Sequence, residues 1–419
     1  MIRILFLHQN FPGQFAHLAP AVAARGHLTA ALTSRVGERQ RWRGVEVVPY
    51  RYAPPDDHVV HPWMTTMDRA VDRGAAVLQA ALGMRTRGFS PDLIVAHSGW
   101  GEALFLRDVW PEARIGVFSE FYYRAEGADI DFDPEFRAAN EMGRSARVRL
   151  KNLAMEMQLG MADRGISPTL WQADAHPPAL RDKIDVIHDG IDTAVIAPAP
   201  EASVTLEGHG RWSRDDEVIT FVNRNLEPYR GFHVFMRALP ALLRRRPNAQ
   251  VIVVGEDAVS YGAAPACGGT WREVMTAEID GQMDAADWAR VHFVGRIPRE
   301  AFTALLQVSR VHLYLTYPFV LSWSLLEAMS AGCAIVASDT PPVREAIAHE
   351  KTGLLVDFFD RVALVDAVDR LAGDAALRER LGREARDHAV RGYDLPSVCL
   401  PKQFAWLSAL AGRDLFEGG

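Results

Sequence analysis

The feature that most constrains the fold is an alternation of short apolar runs with helical patterns, repeated in both halves of the chain. In the first half the runs are Ile2–Leu7, Leu28–Thr33, Val45–Tyr50, Leu93–Ala96, Ile115–Phe118 and Ile184–Ile187. In the second they are Val218–Asn223, Gln250–Val254, Arg290–Val294, Val311–Leu315, Ala334–Ala337 and Gly353–Val356. Strands of this length with helices between them predict mainly parallel sheets covered on both faces, an α/β architecture. A chain of 419 residues is long for one core, so two domains are expected. The text from Ala197 to Asp216 is rich in Pro, Gly and charge and lacks periodicity. It predicts domains over 1–196 and 217–394, a linker over 197–216, and a C-terminal helix over 395–419 that packs back toward the N-terminal domain.

Composition narrows the possibilities further. The net charge of −7, from 53 acidic and 46 basic residues, argues against nucleic acid as a partner. Cys267, Cys333 and Cys399 are dispersed and odd in number, which suggests neither a disulfide framework nor a metal cluster. No signal peptide or apolar run of bilayer length is visible, so a cytoplasmic protein is expected, peripheral to the inner membrane face at most. Arg137, Arg144, Arg147, Arg149 and Lys151 make one predicted helix basic. The first reading of that helix is a solvated face with ion pairs, and the second is a surface for an anionic or membrane-bound acceptor.

In open α/β sheets the carboxyl ends of the strands form the functional edge. Several segments place polar groups there. Val311–Leu315 leads through a loop containing Pro318 into a predicted helix that stops at Gly332. The start of such a helix offers free N–H groups and a positive dipole end to an anion. Glu327, about one and a half turns inside, is suited to accept hydrogen bonds from a diol. Arg224 and Arg230 lie six positions apart on one strand-to-helix loop and can converge on a diphosphate. In the first half, Gly13 forms the turn after the first strand, and His97 and Glu120 follow two other strands. His97 reads either as a functional group or as a strand-end cap, and Glu120 either as a functional group or as a partner of Arg124. A G-x-G-x-x-G fingerprint is missing, which argues against a dinucleotide oxidoreductase.

The segments FVNRNLEPYRG, VHFVGRIPREAFTALLQVSRVHLYLTYP, LLEAMSAGCAIVASDTPPVREAI and KTGLLVDFFD occur in this order in the second half. This half resembles the nucleotide-binding half of the retaining glycosyltransferases of family 4 (glycosyl transferases group 1). ILFLHQNFPGQFAHLAPAVAARGH, PDLIVAHSGWGEA and DVIHDGID match the first half more loosely. The resemblance implies the GT-B fold, two Rossmann-like doubly wound parallel-sheet domains facing across a cleft. It also implies transfer of a sugar from a nucleotide sugar such as a UDP-sugar to a hydroxyl acceptor, with the anomeric configuration retained. The acceptor would be a glycan, as in polysaccharide biosynthesis, a lipid-linked glycan or a small molecule.

Carried over by residue, the resemblance gives Arg224 and Arg230 the donor diphosphate, the family usually having lysine at the second position, and Glu327 the ribose hydroxyls. Leu321, Ser322 and Trp323 fall in the segment that contacts phosphate and sugar, Arg296 and Ile297 in the loop beside the base, and Gly13 in the turn facing the diphosphate. His97 and Glu120 lie on segments that approach the sugar or acceptor and are candidate catalytic residues. No metal or other cofactor is implied, because the arginines supply the positive charge. One departure is plain: the family pairs two glutamates as E-x7-E, and this chain has Phe319 where the first is expected. Ser322, Ser324, Glu256 and Asp257 are the candidates to replace that sugar contact. Two rival readings remain, a nucleotide-sugar epimerase and a non-catalytic nucleotide- or glycan-binding partner of another transferase.

Overall fold

The computed structural model describes residues 1–53, 60–137 and 142–416, which divide into two compact units, Met1–Gly190 with Pro396–Gly419, and Ile191–Leu395. The first unit is built on an eight-stranded sheet. Its strands are β1 (Arg3–Leu7), β2 (Leu28–Thr33), β3 (Gln40–Trp42), β4 (Val45–Pro49), β5 (Leu93–His97), β6 (Arg114–Phe118), β7 (Arg164–Ser167) and β8 (Ile184–Val186). They are ordered β3-β4-β2-β1-β5-β6-β7-β8 and are parallel except for β3 against β4. Alternate residues of each strand enter opposite faces, as strand geometry requires. Leu5, Leu7, Ile94, Ala96, Ile115 and Val117 pack on one side, and Ile4, Phe6, Leu93, Val95 and Phe118 on the other.

The second face is completed by the C-terminal helix Leu400–Ala411, which contributes Phe404, Trp406, Leu407 and Leu410. Trp406 Nε1 donates to the Gly165 carbonyl at 3.2 Å, and a Cβ on Gly116 would meet the Trp406 ring at 2.4 Å. The helix therefore sits on bare sheet backbone.

The second unit holds a six-stranded parallel sheet and a two-stranded antiparallel hairpin of β9 (Ser203–Leu206) and β10 (Gly210–Ser213). The sheet strands are β11 (Val218–Asn225), β12 (Gln250–Glu256), β13 (Val291–Gly295), β14 (Val311–Tyr314), β15 (Ile335–Ser338) and β16 (Leu354–Val356), ordered β13-β12-β11-β14-β15-β16. Val204, Leu206 and Trp212 of the hairpin are buried with Val218, Val222, Ile252 and Ile335 in one core. The expected linker over 197–216 is thus largely folded into this unit, and the division falls at 190/191. Three short apolar anchors among polar neighbours were enough to bring that segment into the core.

Candidate active site

The second unit gathers its candidates at the carboxyl edge of β11 and β14. Arg224 lies near the end of β11, and Arg230 ends the short 3-10 turn Pro228–Arg230 before Gly231. Gly231 takes φ +69°, and a Cβ there would meet Leu315 at 2.4 Å, so only glycine fits this turn. Ser322 caps the helix Trp323–Ser330, accepting from Ser324 N–H at 3.3 Å while its own N–H donates to the Tyr314 hydroxyl at 2.9 Å. Arg224, Arg230, Ser322, Trp323 and Glu327 all line one cavity of about 260 Å3.

The two arginines are held differently. Arg224 is exposed, whereas Arg230 is buried. Arg230 Nη1 donates to Thr316 Oγ1 at 2.8 Å and to the Val320 carbonyl at 3.0 Å, with the Tyr314 hydroxyl at 3.4 Å. Burial works against its charge, but nearby Tyr314, Tyr261 and Glu227 outweigh this and raise its pKa. It is a fixed cation at the base of the cavity.

Several residues of this wall were not singled out from the sequence. Arg299, first in the helix Arg299–Val308, donates from Nη2 to Glu327 Oε1 at 2.5 Å. Glu227 is fully buried, and its carboxylate accepts from three successive backbone N–H groups, those of Ser260, Tyr261 and Gly262 at 3.0 to 3.3 Å. Tyr261 is thereby carried over the Arg230 guanidinium, 5.3 Å from its ring centre. Asn223 and Asn225 also belong to this wall, and Asn223 Nδ2 and Asn225 Oδ1 are buried without protein partners among the described residues.

Other candidates lie outside this cavity. Leu321 is buried in the core, Ile297 packs against that core, and Arg296 and Glu256 are exposed at strand ends. Asp257 is paired with Arg272 at 2.5 Å. Phe319 is buried, 4% exposed, with ring centres of Tyr229 and Tyr261 at 5.5 and 4.8 Å. Phe319 is thus part of an aromatic cluster.

In the first unit, His97 and Glu120 come together at the ends of adjacent strands β5 and β6, with His97 Nε2 3.6 Å from Glu120 Oε2. His8, which follows β1, and Gln14 join them and were missed from the sequence. Gly13 has φ +47°, and a Cβ there would lie 2.3 Å from His8 Nε2, so the turn closes directly on the histidine ring. Arg124 does not pair with Glu120; its guanidinium donates to the carbonyls of Asp174 and Ala175. Burial takes the His8 pKa down to about 3. Burial opposes ionisation of Glu120, but the neighbouring His97 ring and the Gln14 amide carry its pKa downward overall.

Comparison with known proteins fits this geometry. A glycosyl transferase family 4 group model matches residues 25–196, and a glycosyl transferases group 1 model matches residues 208–388. The chain belongs to the family 4 glycosyltransferases. This glycosyltransferase is 26% identical over 321 residues to D-inositol 3-phosphate glycosyltransferase of Corynebacterium efficiens, covering 73% of this chain and 68% of that protein. It is 28% identical over 238 residues to the Streptomyces avermitilis protein of the same name, spanning 50% of its length. A phosphatidyl-myo-inositol mannosyltransferase of Mycobacterium leprae is 27% identical over 226 residues, spanning 52% of its length. Among solved structures, sucrose-phosphate synthase from Thermosynechococcus elongatus superposes with TM-score 0.70 at 16% identity, covering 98% of this chain and 100% of that one. An Anabaena protein solved in complex with UDP-glucose superposes with TM-score 0.66 at 16% identity, with the same coverage. The fold is GT-B. No helix among the described residues is long and apolar enough to cross a membrane.

Proposed function

We propose that the protein transfers a glycosyl group from a nucleoside diphosphate sugar to a hydroxyl acceptor with retention of anomeric configuration. The observation that carries this reading is the single cavity of about 260 Å3 holding Arg224, Arg230, Ser322 and Glu327. A buried cation, an exposed cation and a helix start suit a diphosphate, while Glu327 suits ribose hydroxyls. As the bond from the anomeric carbon to the diphosphate oxygen breaks, its electron pair stays on the diphosphate, where the arginines stabilise it. Such preorganised contacts are worth about 2–4 kcal/mol each. The acceptor oxygen bonds to the anomeric carbon, and its proton passes to the leaving diphosphate. In this account the arginines supply the charge compensation without a metal.

UDP is the first donor nucleotide to test, because structural neighbours are described in complex with UDP and UDP-glucose. The names of the sequence relatives point to an inositol-type polyol as the first acceptor to test, free or in a lipid. The deciding experiment measures thermal stabilisation by nucleoside diphosphates and their sugars, then analyses products with labelled donors. Label on the acceptor supports transfer, a converted sugar nucleotide without acceptor assigns an epimerase, and binding without turnover assigns a non-catalytic partner.

A further inference from the structure

We infer that Gln14 is a positioning residue whose amide, oriented by His8, holds the Glu120 carboxylate as the hydrogen-bond acceptor for a hydroxyl of a sugar or polyol substrate. The inference rests on reading the chain as a glycosyltransferase and adds a named substrate contact in the first unit.

The orientation follows from two backbone N–H groups. Asn10 N–H donates to His8 Nδ1 at 3.0 Å, so the proton of the neutral ring sits on Nε2. That Nε2–H faces Gln14 Oε1 at 2.7 Å, which turns the Gln14 NH2 toward Glu120 Oε1, also at 2.7 Å. The amide cannot rotate without setting its oxygen against the carboxylate and its NH2 against His8 Nε2–H. On the other side, Gly99 N–H donates to His97 Nδ1 at 3.0 Å, which leaves the His97 proton on Nε2 as well. His97 Nε2 makes no hydrogen bond and lies 3.6 Å from Glu120 Oε2. Both imidazoles thus direct a proton to one carboxylate, His8 through the amide and His97 directly.

The rings have little freedom. His8 lies against Gly13, with His97 and Trp100 ring centres at 5.0 and 4.9 Å, and His97 is stacked on Trp100 at 4.4 Å. Burial keeps His8 neutral, with its pKa down to about 3. The titratable groups facing the Glu120 carboxylate are His8 beyond β1 and His97 of β5; Gln172, from the helix Leu170–Asp174, donates only to the Glu120 backbone carbonyl. The His97 side chain is 1% exposed and that of Glu120 is 31% exposed, so of the two side chains Glu120 is the one open to an incoming molecule. An ionised carboxylate with one oxygen tied back and the other without a hydrogen bond to the protein accepts hydrogen bonds and donates none, which matches a hydroxyl-rich substrate.

The test is to replace Gln14 by Leu and to follow the Glu120 carboxyl carbon by 13C NMR against pH, with the resonance assigned through Glu120→Gln. Loss of the amide donor removes a contact that favours the ionised form, so the Glu120 midpoint should rise by about one pH unit. In parallel the acid limb of kcat/KM for transfer should move to higher pH by the same amount. If Gln14→Leu does not fold, Gln14→Met, which keeps the unbranched shape, replaces it. An unchanged midpoint overturns the role of Gln14. A midpoint that moves while the acid limb of an active enzyme stays fixed overturns the role of Glu120 toward substrate. If the wild-type protein transfers no sugar from any donor, the glycosyltransferase reading fails, and the carboxyl titration still decides the role of Gln14.

Discussion

The Arg299 guanidinium donates to Glu327 Oε1 at 2.5 Å, joining the start of one helix to the middle of another across the wall of the cavity. The partners are unequal: the Glu327 side chain is 6% exposed and that of Arg299 is 57% exposed. Arg299 can swing into solvent, whereas Glu327 is fixed by its helix. The pair keeps a carboxylate ready in the cavity without filling it.

Glu327→Ala should therefore weaken binding of a nucleoside diphosphate by about tenfold or more, since hydrogen bonds to charged groups contribute roughly 1.5–3 kcal/mol. Arg299→Ala should weaken it less, because Glu327 keeps its place. Calorimetric titration of both variants checks the order, and unchanged affinity in Glu327→Ala would remove the ribose assignment.

Arg224 and Arg230 should separate in a stability measurement. Arg224→Ala removes an exposed side chain, so the melting temperature should hold while transfer falls at least a hundredfold, about 2.7 kcal/mol. Arg230→Ala should lower both, because Thr316 and Val320 lose a buried donor at a cost of about 1–3 kcal/mol. Arg230→Lys should keep more of both than Arg230→Ala, since the bonds from Arg230 to Tyr314, Thr316 and Val320 all leave from the single nitrogen Nη1 and an ammonium can replace part of them. Equal melting temperatures for the two alanine variants would contradict the buried role of Arg230.

Phe319→Glu, which would supply the paired glutamates that the sequence resemblance leads one to expect, should not improve transfer from UDP-glucose. The new carboxylate would be buried against Tyr229 and Tyr261 and should destabilise the unit by several kcal/mol, partly relieved by Arg230, whose guanidinium lies 5.8 Å from the Phe319 ring centre. Chemical denaturation and initial rates measure the two effects. A faster enzyme of unchanged stability would show instead that the aromatic cluster replaced a sugar contact without structural need.

Stability should fall as the solution is made acidic. Burial lowers the pKa of His8 to about 3 and those of His188 and His312 to about 4, against 6.5 for the unfolded chain. Their contribution is fully present above pH 6.5 and is lost as pH falls toward 3, because only the unfolded state takes up protons in that window. Each pKa unit corresponds to about 1.4 kcal/mol, so melting at pH 5 should occur several degrees below melting at pH 7.5. A flat profile over this range would mean that these rings are not buried in neutral form.

Most of the fold was legible because buried parallel strands are written as continuous apolar runs, as in Ile4–Leu7 and Ile94–Ala96. β3, β7, β9 and β10 were not: each has only three or four residues, β3 and β10 are half exposed with Gln40, Arg41 and Arg211 at the surface, and β7 and β9 mix polar residues with one or two aliphatic ones. The cavity residues Arg224, Ser322 and Glu327 could be found because each belongs to a strand-to-helix segment whose role is local. His8 satisfied the same rule, standing directly after β1, and was still passed over in favour of Gly13. The link from Gln14 to Glu120 spans 106 residues, and that from Glu227 to Ser260–Gly262 spans 33 to 35. Such contacts depend on how segments are brought together in space, which no local pattern encodes. Phe319 shows the converse, a position that the sequence resemblance leads one to expect polar and the packing makes apolar.

The most direct test of the account is transfer of labelled sugar from UDP-sugars to a polyol acceptor by the wild-type protein and by Arg224→Ala, with and without chelator. The account predicts labelled acceptor of retained configuration from the wild type, unaffected by chelator, and at least a hundredfold less from the variant. Undiminished transfer by Arg224→Ala, or a product of inverted configuration, would contradict it.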